Sequence, residues 1–225
     1  MLPVGNIATK HYEKTLEIDA THMPEAIDAH YYLAALSFAR GQAAESRAHL
    51  LRAVELNPGH VRSLIRLGNM LLEEGKQEDA VDLWYRAIRI DPTQIDFALR
   101  VATLLSGRRE TRRAIEVLRI ARSQAPDHQR LSMLLAWHLA TAADAEDRNP
   151  SEALSLAEAA YSREPASVQT TEILAAALAS SGQFKTATEV IESALRLAED
   201  SGETQLIQTL QDRAELYRSG KPYRQ

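Results

Sequence analysis

The chain has 225 residues, 45% hydrophobic, 25% charged and only 5% aromatic, a balance that fits a soluble folded protein and, with its many Ala and Leu, favours close-packed helices over a β-sandwich. A formal net charge of -5 suits polyanions poorly, and the lack of cysteine excludes disulfides, thiolate metal sites and cysteine nucleophiles while leaving both cytoplasm and periplasm open. Residues 1–14 hold no apolar stretch like a secretion signal, and later apolar segments are broken well before 18 positions, so no membrane insertion is expected of this segment.

The organisation is periodic. Pro58, Pro92 and Pro126 stand 34 residues apart twice over, with Ala53, Ala87 and Ala121 each five residues ahead and Gly41 and Gly75 in the same register. In chain order, Ala8, Tyr12 and Thr15 have the spacing of a second helix whose first helix is missing, which makes 1–22 a half unit. The first full unit, 23–60, carries Leu33, Ala34, Ser46, Leu50, Ala53 and Pro58. The second, 61–94, carries Leu67, Gly68, Leu71, Gly75, Ala80, Trp84, Ala87 and Pro92, and the third, 95–128, Val101, Ala102, Ala114, Leu118, Ala121 and Pro126. In each, two helices must cross closely, so small residues sit at the contact while Leu or Trp fills the space around it; Gly75, with Gly41 in the same register, permits the left-handed backbone that ends a first helix, and Pro stops the second.

A fourth unit, 129–167, starts with Leu135 and Ala136, but Pro165 comes 39 residues after Pro126, which puts the extra residues in the turn between its helices, Thr141 to Arg148. The fifth, 168–200, has Leu174, Ala175, Gly182, Ala187, Ile191 and Ala194, with Glu199 in the proline slot and a second helix expected to run on. Over 201–225, Leu206, Ile207, Leu210, Ala214 and Leu216 keep helical spacing, which predicts a capping helix stopped by Gly220 and Pro222.

This pattern resembles the tetratricopeptide repeat over about Ala8 to Glu199. The resemblance implies an all-α, right-handed superhelical solenoid of antiparallel helix pairs, about five repeats plus the half repeat and the capping helix. It also implies a scaffold that binds proteins or peptides on the face lined by the first helices. Leu135-Ala136-Trp137 through Asn149-Pro150, and the tail from Leu216 to Arg224, resemble C-terminal repeat segments of large bacterial proteins. The chain is then expected to be a C-terminal part of a longer protein, or a piece whose open N-terminal helix packs on something else, a second copy included.

Helical phase nominates the partner-binding residues: Tyr31 and Phe38; Arg62, Ile65, Arg66 and Asn69; Leu99, Arg100 and Thr103; Arg130, Met133 and Trp137. Such a lining suits a segment with apolar anchors and some acidic residues, with Asn69 bonding its backbone and Arg66 or Arg100 pairing its carboxylates. The bland alternative is that Ile65, Leu72 and Leu99 only fill gaps between helices. Trp137 is open to two readings, a ligand anchor or a ring packed under the lengthened turn. The two-carboxylate clamp of chaperone-binding relatives is incomplete, since Ile65, Arg100 and Leu134 replace its first Lys, its second Asn and its Arg, leaving Asn69 and Arg130 in matching slots.

Six arginines (Arg108, Arg109, Arg112, Arg113, Arg119, Arg122) crowd one stretch. An acidic run follows, with Asp144, Glu146, Asp147, Glu152, Glu158 and Glu164. They are a solvated helix face or, between copies, a head-to-tail contact. Nucleic-acid binding is not expected, because Glu73, Asp96 and Glu172 interrupt any basic face. Neither catalytic nor metal-ligating residues nor a cofactor are predicted. No phosphate loop or nucleophile elbow occurs, and His22, His60 and His128 share one repeat slot that the solenoid would spread by about 20 Å, far beyond a metal bond. The rival reading is an accessory or self-association domain of a larger enzyme such as a glycosyltransferase.

Overall fold

The computed structural model describes residues 4–18 and 23–225. His22 and the junction of the half unit with the first full unit lie outside them. The described residues form twelve α-helices and no strand. They divide into two compact units, Met1–Pro92 and Thr93–Gln225.

The first unit holds α1 (Val4–Ile18), α2 (Met23–Ala39), α3 (Ala43–Leu56), α4 (Val61–Glu73) and α5 (Gln77–Ile90). Helices α2 and α3 pack as one pair and α4 and α5 as another, with α1 against α2 and α3 against α4. The second unit holds α6 (Ile95–Gly107), α7 (Thr111–Gln124), α8 (Gln129–Thr141), α9 (Pro150–Arg163), α10 (Val168–Ser180), α11 (Phe184–Ser201) and α12 (Thr204–Arg218). Here α6–α7, α8–α9 and α10–α11 are the pairs, α8 also meets α10, and α12 closes on α11.

Short turns dictate this pairing. Gly41, Gly75 and Gly182 take the left-handed conformation just after a first helix, and the next residue's N–H returns to a carbonyl one turn back, as in Lys76 N to Leu71 O at 2.8 Å. In the third repeat this slot belongs to Arg109, held at φ 63°, while Glu110 N makes the same bond to Leu105 O at 2.9 Å. The turn geometry therefore outweighs a non-glycine residue's aversion to that region, a cost of about 1–2 kcal/mol. The extra residues of the fourth repeat form a short 3-10 turn at Ala145–Asp147, after which Asn149 caps α9 by accepting from Glu152 N at 3.2 Å and Pro150 opens the helix.

The core of each pair is a contact between small residues. Ala80 and Ala87 are buried beside Trp84, which is 4% exposed and donates its indole N–H to Ile65 O at 3.2 Å. A Cβ on Gly68 would overlap that indole, 2.6 Å from its Cδ1. Between α2 and α3, His30 Nδ1 and His49 Nδ1 lie 3.0 Å apart, so one imidazole donates and the other accepts. Burial, then the nearby His49 and Arg52, lower His30 from 6.5 to about 4.

Two predictions follow from this packing. Gly68→Val must move the indole or the α4 backbone, and it should lower the stability of the first unit by about 1–3 kcal/mol in urea unfolding; an unchanged midpoint would show that the contact is slack. A His30 pKa depressed in the folded chain means that the unfolded chain binds more protons, so stability is complete above about pH 6.5 and falls as pH drops from there toward 4. The melting temperature of the native sequence should fall more steeply across that window than that of His30→Leu, and parallel curves would contradict the assignment.

Candidate functional site

In the first unit the first helices, α2 and α4, turn one face to the small-residue contact and leave another uncovered. In the first unit that second face forms a cleft of about 380 Å³ between α2 and α4, lined by Tyr31, Phe38, Arg62, Ile65, Arg66, Asn69, Met70 and Glu73. Tyr31 and Phe38 lie two turns apart on α2, and Arg62, Ile65, Arg66, Asn69 and Glu73 recur at three- and four-residue steps on α4, so helical periodicity alone brings them together. All six residues nominated from this part of the sequence thus meet in one cleft. Met70 and Glu73 were missed as lining residues; Glu73, four positions beyond Asn69, was within reach of the same periodicity.

The cleft is partly organised. Phe38 is 42% exposed, with the Arg66 guanidinium 5.5 Å from its ring centroid. Tyr31 meets the His60 ring edge-on at 5.7 Å, and His60 Nδ1 is 2.8 Å from Ser63 Oγ at the start of α4. Burial lowers the pKa of His60, against the opposing effect of Asp28, so the lasting positive charges of the cleft are Arg62 and Arg66, against Glu73. Beside it, Tyr12 of α1 stacks on Tyr32 of α2 at 5.1 Å, while Ile7 on α1 stays 70% exposed.

In the second unit the nominated residues divide. Leu99, 5% exposed, belongs to the core: phase alone did not reveal that neighbouring side chains close over it. Arg100 is exposed, 5.8 Å from the Phe97 ring centroid, and Thr103 donates to Leu99 O at 2.9 Å. Arg130 is exposed and Met133 half-buried. Trp137 has partners that neither reading named: Tyr223 lies 5.8 Å from its ring and the Arg213 guanidinium 4.8 Å above it.

Those partners belong to α12 and the tail. Arg213 pairs with Glu172 of α10, both largely buried, and also lies 4.6 Å over the Tyr223 ring. Burial pushes the Tyr217 hydroxyl beside them up to about 12. His138, 3% exposed, joins Ser106 Oγ of α6 on Nε2 at 2.8 Å and the Gln225 side-chain amide on Nδ1 at 3.2 Å, and burial keeps it in its neutral form.

The basic stretch on α7 is met within the chain. Arg112 bonds Asp147 at 2.7 Å and Glu146 at 3.0 Å, Arg119 bonds Glu152 at 2.6 Å, and Arg108 and Arg113 share Glu110. Repeat stacking therefore brings Arg112 and Arg119 of the basic stretch onto Glu146, Asp147 and Glu152 of the acidic run. Among the described residues no three His, Cys, Asp or Glu side chains gather to hold a metal, and no helix is long and apolar enough to cross a membrane.

A sequence profile of the tetratricopeptide repeat matches residues 7–61 and 36–95. A search of curated proteins finds no match. Among solved structures, the chain is similar to YrrB, described as a tetratricopeptide repeat protein with an unusual peptide-binding site, at 18% identity over 85% of this chain and 94% of that one, with a TM-score of 0.59. It is similar to MamA from Desulfovibrio magneticus RS-1 at 17% identity over 77% and 96%, with a TM-score of 0.51. Yeast Tom70 gives 19% identity over 94% of this chain but 43% of its own, with a TM-score of 0.51. At such identities the likeness is one of fold: the profile match identifies residues 7–95 as tetratricopeptide repeats, and the helix pairs that follow share the fold of such repeats.

Proposed function

We propose that this protein is a protein-interaction scaffold and that the cleft between α2 and α4 holds a segment of its partner. The observation that carries this reading is the convergence of Tyr31, Phe38, Arg62, Ile65, Arg66 and Asn69 on one open cleft of a size suited to a few side chains. The peptide-binding site of the similarly folded YrrB supports the same use of the fold.

The chemistry of the cleft describes the segment. Phe38, Tyr31 and Ile65 offer apolar contact to one or two aliphatic or aromatic anchors, and Asn69 can both donate to and accept from an extended backbone. Arg62 and Arg66 outnumber Glu73, so acidic side chains flanking the anchors are favoured and the approach is quickened at low salt. The protein's role is to hold this segment; no group in the cleft is arranged as a nucleophile with its base.

Peptides selected from a displayed random library on the immobilised chain should be enriched in apolar anchors next to Asp or Glu. The best of them should bind a folded Phe38→Ala, Asn69→Ala variant at least ten-fold more weakly in fluorescence polarisation, about 1.4 kcal/mol. Equal affinity for the variant would move the binding site off this cleft.

A further inference from the structure

The tail after α12 follows an unusual path. Helix α12 ends in a turn in which Gly220 is left-handed, Gly220 N bonds Tyr217 O at 3.0 Å and Lys221 N bonds Leu216 O at 2.9 Å. Residues 221–225, without regular secondary structure, then run along the C-terminal half of α8, a helix more than eighty residues earlier in sequence. Tyr223 lies against Trp137, the Arg224 guanidinium reaches Ala140 O at 2.7 Å, and Gln225 N reaches Thr141 O at 2.8 Å.

The end of α8 explains why the tail fits. The last four carbonyls of a helix lack partners within it. In α8, His138 O accepts from Ala142 N at 3.0 Å and Leu139 O from Asn149 N at 3.1 Å, both within the repeat. Ala140 O and Thr141 O receive theirs from the tail. The negative end of the α8 dipole favours a cation there, which Arg224 supplies. Arg213 is fixed from the other side by Glu172, so its flat guanidinium and the Trp137 indole together make a slot for one aromatic ring. Every part of this seat except the tail is carried by α8, α10 and α12.

We propose that the first-helix face of the second unit is a peptide-binding site for an aromatic-Arg segment, and that residues 221–225 occupy it as a ligand of the chain's own. The occupant is recognised by three features: a ring in the Trp137–Arg213 slot, a guanidinium on the α8 end, and a backbone N–H one residue later. Tethered through Gly220, the tail is present at an effective concentration on the order of millimolar, enough to keep out a free peptide of micromolar affinity or weaker. This site is independent of the α2–α4 cleft in the first unit.

The test uses a variant lacking residues 221–225 and a fluorescein-labelled peptide carrying residues 219–225. The shortened chain, shown to be helical by circular dichroism, should bind the peptide at least ten-fold more tightly than the full chain. Binding should be lost when Ala replaces Tyr223 in the peptide or Trp137 in the shortened chain. Should the shortened chain fail to fold, the full-length Tyr223→Ala, Arg224→Ala variant takes its place with the same expectation. Failure of the opened protein to bind the peptide, or equal binding by the full chain, overturns the proposal and leaves the tail a structural cap.

Discussion

Everything in this molecule depends on two consecutive helices being able to approach each other closely across a connecting turn. Crossing at an axial distance of about 8–10 Å demands a small residue on the first helix at the contact. Gly68 against Trp84, and the buried Ala34, Ala102, Ala136 and Ala175 in the corresponding slots of the other first helices, meet that demand. Because the requirement recurs with each pair, it imposes the 34-residue period. On α2 and α4 it engages only one face and leaves the other open, whereas α10 is covered nearly all round.

The same constraint decides what could be read from sequence. The period, the small-residue slots and the lengthened turn of the fourth repeat all follow from local spacing, and so did the lining of the α2–α4 cleft, since residues three and four apart on a helix share a face. Leu99 was misplaced because phase says which way a side chain points and not whether a neighbour covers it. The pairing of Arg112 with Asp147 joins positions about one repeat apart, so the period held the signal that the two charge runs would meet within the chain. The tail was illegible for another reason: five residues without regular secondary structure have no period, and their partners lie on a helix far back in sequence.

The two units put their first-helix faces to different use. In the first, Phe38 and Arg66 are held by each other and remain open to an incoming segment. In the second, Tyr223 and Arg224 of the tail lie against Trp137 and the end of α8, and buried His138 joins Gln225 to Ser106 of α6. The cleft of the first unit sets Arg62 and Arg66 against Glu73, whereas the second unit sets helix-end carbonyls and aromatic faces against a cation and a ring.

The most direct test of the central claim, that the uncovered face of α2 and α4 receives the partner, is a backbone amide chemical-shift map of the isotope-labelled chain titrated with a peptide bearing an aromatic anchor between acidic residues. The account predicts that the perturbed amides cluster between Tyr31 and Phe38 and between Arg62 and Glu73. Perturbations centred instead on the outward-facing residues around Leu51 of α3 and Ile90 of α5 would contradict it.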